Sequence, residues 1–425
     1  MNSTVSAPSA TAGLDAWLCY LEALHPTEID LGLSRVQQVK ERLNIDPGKA
    51  QVLTVAGTNG KGSTVRYLES ILRAAGYRTG AYISPHIYRY EERVRLHGAL
   101  ASADDFVRAF AAIEQARGDI SLTYFEFGTL AAFWLLQRSE LDVWILEVGL
   151  GGRLDAVNCL AADVAMVTSV GIDHIGFLGS DRNGIAAEKA GVFRAGKGAV
   201  IGEPDFPKQV LSELQTKGIE PQCVGHQFNY QQTSADHWTF TGRRSQLQAL
   251  PMPQLPLPNA ATALMALELL NLPVTEQAIR EGLVKAAEPG RLQYVAGNPD
   301  YLLDVAHNPH AAAFLVEHLR NRFGSRPIYA VLGMLKDKDI AGTLEQLKPA
   351  VSAWYLADLE GPRGASAKEL ASALGEVTNQ QPPLSYPCVT DAFRSACDAA
   401  RESQQQPLVL VCGSFYTVAK IPNAE

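Results

Sequence analysis

Gln51 to Thr64 read QVLTVAGTNGKGST: an apolar, β-rich run closed by Gly57, a glycine-rich turn, and the first residues of a helical pattern. Val65, Leu68, Leu72 and Ala75 recur at the three-and-four spacing of one helix face, and Gly76 supplies the stop. Strand, loop and helix in that order aim backbone N–H groups and the positive end of a helix at the loop. A polyphosphate fits such a place, with Lys61 as a point charge. The strict phosphate loop G-x-x-x-x-G-K-[ST] is not met, because Gly57 lies four positions before Lys61 and Gly62 intervenes before Ser63. From the residues alone two readings stand: a nucleotide site of unusual spacing, or a strand-to-helix turn with a solvated lysine.

The same alternation extends outward. TGAYIS, LDVWILEVG and DVAMVTSVG read as strands and FEFGTLAAFWLLQ as a mostly buried helix. Apolar runs without polar alternation suit strands covered on both faces. From about residue 225 to 257 the texture changes to FNYQQTSADHWTFTG and the proline-rich PMPQLPLP, which predicts β hairpins and an extended passage; two helices, PNAATALMALELL and TEQAIREGLVKA, follow. The tripeptide EPG at Glu288–Gly290 breaks the pattern, and a second strand–helix series begins at YLLDVA and ends at PLVLVCGSF. The expected fold is therefore α/β: an N-terminal, P-loop-type doubly wound domain over residues 1–288 and a smaller, C-terminal Rossmann-like α/β domain over residues 289–425. Residues 1–13, small and polar, read as a loose leader.

The chain has 425 residues, long enough for two cores, with 47% hydrophobic and 19% charged residues, a soluble globular balance. Its formal net charge of −8 offers no global field for nucleic acid or an anionic membrane, so an anionic ligand must be held by local groups. The first basic residue is Arg35, so no signal-peptide n-region is seen, and no apolar run is long enough to span a bilayer. Six scattered cysteines, with no C-x-x-C pair, read as reduced thiols. The expectation is a cytoplasmic monomer without nucleic-acid or membrane partners.

Several side chains fall where phosphate chemistry would use them. Glu147 closes an apolar strand, as Walker-B carboxylates do when they meet magnesium; a capping or salt-bridged surface glutamate is the alternative. Asp173 and His174 in TSVGIDH are placed by the pattern on the same sheet edge as Glu147, although a lone histidine is as readily structural. Lys189, beside Glu188 on an apolar helix, reads as a snorkelling surface lysine when taken alone. In LLDVAHNPHAAAF, His307 and His310 have H-x-x-H metal spacing, while Asn308 and Pro309 equally suit a helix cap and its first residue.

Taken together, AGTNGKGST, LEVGLGGRLDAVN, TSVGIDH, EKAGVF, PNAATAL, PGRLQ and DVAHNPH resemble the folylpolyglutamate synthase and dihydrofolate synthase family, ATP-dependent ligases related to the muramyl-peptide ligases. The resemblance runs from about Trp17 to VLVCGSFYTVAK. Its phosphate loop has the form G-T-x-G-K-G-[ST], met by Gly57, Thr58, Asn59, Gly60, Lys61, Gly62 and Ser63. The resemblance implies that Thr58 to Lys61 cradle ATP phosphates. It implies two magnesium sites, one on Ser84 and Glu147 and one on Glu147 and His174. Lys189 matches a lysine that is carbamylated and binds magnesium, which reverses the reading of that residue taken alone. Asn259, Arg291, Asp304 and His307 match groups that reach ATP, with Lys61, His174, Lys189 and His307 the expected catalytic set. TYFEFG and RLDAVN match the pterin end, with Thr123, Phe125, Leu154, Asp155 and Ala156 as substrate contacts, and LHPTEIDLGLSRV resembles a second wall of that pocket.

The implied reaction joins L-glutamate to dihydropteroate and to tetrahydrofolates through an acyl phosphate, and RGDISLTYFEFGT with LGGRLDAVN looks most like the bifunctional bacterial type. Folate chain extension alone, a muramyl-type amino-acid ligase and a non-catalytic nucleotide-binding protein are the alternatives. A GTP-driven switch would need an N-K-x-D-like segment, and the nearest stretch, LKDKDI, lacks the asparagine.

Overall fold

A computed structural model describes residues 7–9, 11–27, 29–375 and 382–422; residues 1–6 and 10, part of the expected leader, and Glu28 of the expected pocket wall lie outside them. The chain forms two compact units, Met1–Val170 with Asp181–Ala286, and Gly171–Ser180 with Ala287–Glu425. The short passage Gly171–Ser180 thus belongs with the second unit, whereas the strand pattern had assigned it to the first. Asp173 joins it to the second unit, its carboxylate taking hydrogen bonds from Asn308 and Lys338.

The first unit is built on an eight-stranded sheet of β1 (Gln51–Ala56), β2 (Thr79–Tyr82), β3 (Val94–Leu96), β4 (Ala99–Leu100), β5 (Val143–Glu147), β6 (Val164–Val167), β7 (Gly198–Ile201) and β8 (Gln222–Cys223), in the order β4-β3-β2-β5-β1-β6-β7-β8. Strands β1, β2, β5, β6, β7 and β8 pair in parallel, and at one edge β3 pairs antiparallel with β2 and β4 antiparallel with β3. The sheet is therefore mixed. The apolar strand runs are explained by burial on both faces: every residue of β2, β5 and β6 is buried.

Helix Lys61–Ala74 follows β1 and buries Val65, Leu68, Ile71 and Leu72 in a core with Leu53, Val55, Ile145 and Met166. Each such side chain contributes roughly 1.5–3 kcal/mol. Helix Tyr124–Gln137 is buried along most of its length because its residues are apolar all round, and Phe133 stacks on Trp144 of β5 with ring centroids 6.3 Å apart. A small antiparallel sheet, β9 (Asn229–Gln232), β10 (His237–Thr241) and β11 (Gln246–Pro251), occupies the polar–aromatic stretch, with Trp238, Phe240 and Leu250 turned into the core and polar residues between them.

The second unit carries a six-stranded sheet of β12 (Gln293–Val295), β13 (Tyr301–Leu303), β14 (Ile328–Leu332), β15 (Ala353–Ala357), β16 (Leu384–Tyr386) and β17 (Leu408–Cys412), ordered β12-β13-β17-β14-β15-β16. Only β12 is antiparallel to its neighbour. Helix Pro309–Phe323 leaves β13 through a turn in which the Asn308 side chain accepts from Ala311 N–H at 2.9 Å and Pro309 takes the first helical position. That is the helix-start reading of H-x-x-H. All six cysteines are free thiols, and no described helix is long and apolar enough to cross a membrane.

Candidate active site

The loop Gly57–Gly60 sits between the carboxyl end of β1 and helix Lys61–Ala74, at the point where β5 and β6 flank β1 on either side. Parallel sheets place their ligands at such a point. Lys61 folds back over the loop, its ammonium donating to the carbonyls of Gly57 and Thr58 at 3.1 and 3.3 Å. The loop is braced from β6: Thr58 N–H donates to Ser169 O at 2.9 Å, Asn59 N–H to Ser169 Oγ at 2.9 Å, and the Thr168 hydroxyl to Asn59 O at 2.6 Å. Neither Thr168 nor Ser169 was among the residues expected from sequence. The available signal was a pair of hydroxyls at the carboxyl end of the strand next to β1. Gly60 has a left-handed backbone, φ 85°, and Ser63 is buried one turn into the helix.

Glu147 ends β5 with 3% of its surface exposed, and Ser84, just past β2, donates its N–H to Glu147 Oε2 at 3.3 Å. A Cβ on Gly62 would lie 3.6 Å from the same oxygen, so this carboxylate lies against the start of the phosphate-loop helix. Asn259, buried on helix Leu257–Leu269, presses its amide against Gly60. The structure thus brings Ser84, Glu147, Gly62, Gly60 and Asn259 to one loop. Magnesium takes one or two carboxylates together with hydroxyl and phosphate oxygens. Glu147 and Ser84 fit that donor set, and among the described residues no group of three His, Cys, Asp or Glu side chains is placed to hold a metal alone.

Lys189 lies on helix Arg182–Ala190 and is 3% exposed, so it is not the solvated lysine its neighbours suggested. The loop Gly149–Leu160 wraps this helix: Arg153 N–H donates to Glu188 O at 2.8 Å, and the Arg153 guanidinium reaches Glu188 Oε1 at 2.6 Å. On the same loop Asp155 is buried, accepting from Leu150 N–H and Val157 N–H at 2.9 Å each. Burial pushes its carboxyl up to about 6, against the opposing pull of those N–H groups and of the Lys61 charge. Ala156 is buried beside it and Leu154 is half-buried.

Phe125 is half-buried at the start of helix Tyr124–Gln137, 6.4 Å from Tyr82 between ring centroids, and its ring packs against Gly149. Thr123 caps that helix in a reciprocal pair with Glu126. Arg35 then ties the stretch around Asp30 to the same place, bonding Asp30 Oδ2 at 2.6 Å and Glu126 Oε1 at 2.9 Å. Thr123, Phe125, Leu154, Asp155 and Ala156 therefore occupy two adjoining segments of the first unit.

In the second unit Asp304 follows β13 and accepts from Leu292 N–H at 2.9 Å and Ala306 N–H at 2.8 Å. Burial raises its carboxyl above the usual range, although Arg291 and these N–H groups oppose it. Arg291 and His307 flank the Phe415 ring, the guanidinium carbon 5.1 Å and the imidazole 6.1 Å from its centroid. His307 Nδ1 faces Val305 O at 2.9 Å and its Nε2 lies 3.3 Å from Asp173 Oδ2. His174 lies on Gly171–Ser180 and is grouped with this unit.

The chain matches the Mur ligase middle domain over residues 55–248 and the Mur ligase glutamate ligase domain over residues 290–415. It is 51% identical over 415 residues to the dihydrofolate synthase/folylpolyglutamate synthase of Escherichia coli (strain K12), covering 97% of this chain and 96% of that protein. Against the corresponding Haemophilus influenzae protein it is 40% identical, with 97% of each covered. Among solved structures, E. coli FolC in complex with DHPP and ADP aligns with a TM-score of 0.92 at 51% identity, over 97% of both chains. A bifunctional folylpolyglutamate synthase/dihydrofolate synthase with Mn, AMPPNP and L-glutamate bound aligns with a TM-score of 0.90 at 50% identity, over 97% of this chain and 98% of that one. With its glycine-rich loop on Glu147 and its two α/β units, the chain belongs to the Mur ligase family and, within it, to the dihydrofolate synthase/folylpolyglutamate synthases, which are ATP-dependent ligases.

Proposed function

We propose that this chain adds L-glutamate to dihydropteroate, forming dihydrofolate, and to tetrahydrofolates, forming polyglutamates. The observation that carries this reading is the junction in the first unit of a phosphate-type loop, Gly57–Ser63, with a buried carboxylate, Glu147. An aromatic and a buried carboxyl, Phe125 and Asp155, stand in that same unit.

A carboxylate is a poor acyl donor at neutral pH. Its oxygen attacks the γ-phosphorus of ATP, the bond to the bridging oxygen breaks, and ADP leaves an acyl phosphate. The amino group of L-glutamate then attacks the acyl carbon and loses a proton as phosphate departs. Magnesium, when bound, neutralises charge on the transferring phosphoryl group. The loop Thr58 to Lys61 would cradle the phosphates, with the N–H groups at the start of helix Lys61–Ala74 and the Lys61 ammonium as donors, and Ser84 with Glu147 would hold one metal ion. Glu147 and His174, with a carbamylated Lys189, are the proposed donors of a second. Phe125 offers the flat pterin a stacking surface and Asp155 accepts its ring N–H groups, with Thr123, Leu154 and Ala156 lining the same pocket. Asn259, Arg291, Asp304 and His307 are the proposed ATP contacts.

The test is ADP release by the purified protein with ATP, magnesium and L-glutamate, with mass analysis of products, using dihydropteroate in one tube and tetrahydrofolate in another. Turnover in both is expected. Turnover with tetrahydrofolate alone reduces the reading to chain extension, and none in either overturns it.

A further inference from the structure

The chain leaves the first unit at Val170 and returns to it at Asp181, and the intervening ten-residue strap carries His174. The first unit clasps the base of this strap. Val170 N–H donates to Glu203 Oε2 at 2.8 Å, Arg182 Nε donates to Val170 O at 3.2 Å, and Arg182 Nη2 lies 3.3 Å from Glu203 Oε1.

Within the second unit Asp173 ties the strap down. Its Oδ1 accepts from Lys338 Nζ at 2.7 Å and from the N–H of His174 at 2.8 Å. Its Oδ2 accepts from Asn308 Nδ2 at 3.1 Å and lies 3.3 Å from His307 Nε2. The carboxylate and the Lys338 ammonium are 8% and 7% exposed, so the charge is buried with its counter-charge beside it. His174 adopts φ 52°, ψ 44°, a left-handed backbone that non-glycine residues keep only when neighbours impose it. The His307 ring spans from Val305 O to Asp173 Oδ2, which fixes its plane.

We propose that Asp173 is a positioning residue of the ligase reaction, setting the backbone of His174 and the ring plane of His307 with one carboxylate. A group that served only to neutralise Lys338 would need one oxygen on the ammonium. Here each oxygen serves a histidine as well, and Asn308, which opens helix Pro309–Phe323, shares the second. Lys338 makes the burial of that carboxylate tolerable. The inference rests on the ligase reading above.

The experiment compares the full-length chain with Asp173→Asn, which keeps the volume and removes the charge. Steady-state kinetics are read together with backbone hydrogen exchange at residues 174–178 and, as a control, in β14 and β17. The expected result is a kcat lowered about 30-fold or more, KM for ATP changed by less than about threefold, and exchange at 174–178 faster by about tenfold with the control strands unaltered. A kcat within about threefold of wild type overturns the proposal, as does a kcat loss without faster exchange in the strap, or faster exchange spread through β14 and β17. If Asp173→Asn does not fold, Asp173→Glu, which keeps the charge but displaces it by one methylene, is judged by the same criteria. A wild-type chain without turnover overturns the ligase reading and the kinetic half of the proposal together, while the exchange measurement still decides whether Asp173 holds the strap.

Discussion

Gly60 and Asn259 are packed so closely that a Cβ added at Gly60 would lie 2.5 Å from the Asn259 Oδ1 and 2.9 Å from its Cγ. Gly60 also sits at φ 85°, the left-handed region in which glycine alone is unstrained. The amide that presses on the loop is therefore part of what shapes it. Gly60→Ala is expected to cost about 1–3 kcal/mol of stability through backbone strain alone and to raise the KM for ATP. Thermal melting and ATP titration of the turnover rate check both; an unchanged melting temperature would contradict the packing argument.

Glu147→Gln keeps the volume of the side chain and removes its charge. With Ser84 N–H on Glu147 Oε2, the amide can be accommodated. The magnesium concentration for half-maximal activity is expected to rise by about tenfold or more, with the fold intact. A magnesium titration with a parallel melting curve reads this directly.

In the proposed pocket Phe125 would offer its ring to the pterin from the position that Gly149 lets it take. Phe125→Ala is expected to raise KM for the pterin substrate about tenfold while kcat changes by less than about threefold. Gly149→Ala should reproduce part of that effect by pushing the ring aside. A kcat loss with constant KM in either variant would count against a ground-state stacking role.

The carboxyl of Asp155 is lifted by burial to about 6 from an ordinary value of 3.8. The folded state thus holds this proton more tightly than the unfolded chain. The stability it confers is complete below about pH 4 and is lost as pH rises through about 6, a difference of about 3 kcal/mol. Urea melts between pH 4 and 7 should show a steeper decline for the wild type than for Asp155→Asn. If Asp155 accepts the pterin ring N–H groups as proposed, the proton removes that acceptor, and the KM for dihydropteroate should rise below about pH 6 in the wild type and not in the variant.

Thr168 braces the phosphate loop through its hydroxyl on Asn59 O at 2.6 Å. Thr168→Val keeps the branched shape that suits the end of β6 and removes that bond while the one from Ser169 Oγ stays. A KM for ATP raised about three- to tenfold is expected, since one neutral hydrogen bond contributes roughly 0.5–1.5 kcal/mol. Steady-state kinetics with varied ATP measure it.

What could be read from sequence was local. The strand–loop–helix at Gln51–Ala74, the buried helix after Thr123, and the cap and first residue at Asn308 and Pro309 depend on neighbours a few positions apart, where backbone geometry and apolar periodicity act directly. Taken alone, Lys189 reads as solvated because a helix face does not reveal what covers it; in the fold it is 3% exposed, with Gly152 packed against its backbone. Only the tertiary structure could supply the bracing of Asn59 by Thr168, 109 residues away, or the pairing of Asp173 with Asn308 and Lys338 across 135 and 165 residues. It alone moved Gly171–Ser180 into the second unit and turned β3, β4 and β12 antiparallel at the sheet edges. Hydrogen bonds between residues so far apart in the chain are chosen by which strands become neighbours, and that choice belongs to the packed sheet as a whole, not to any local run of residues.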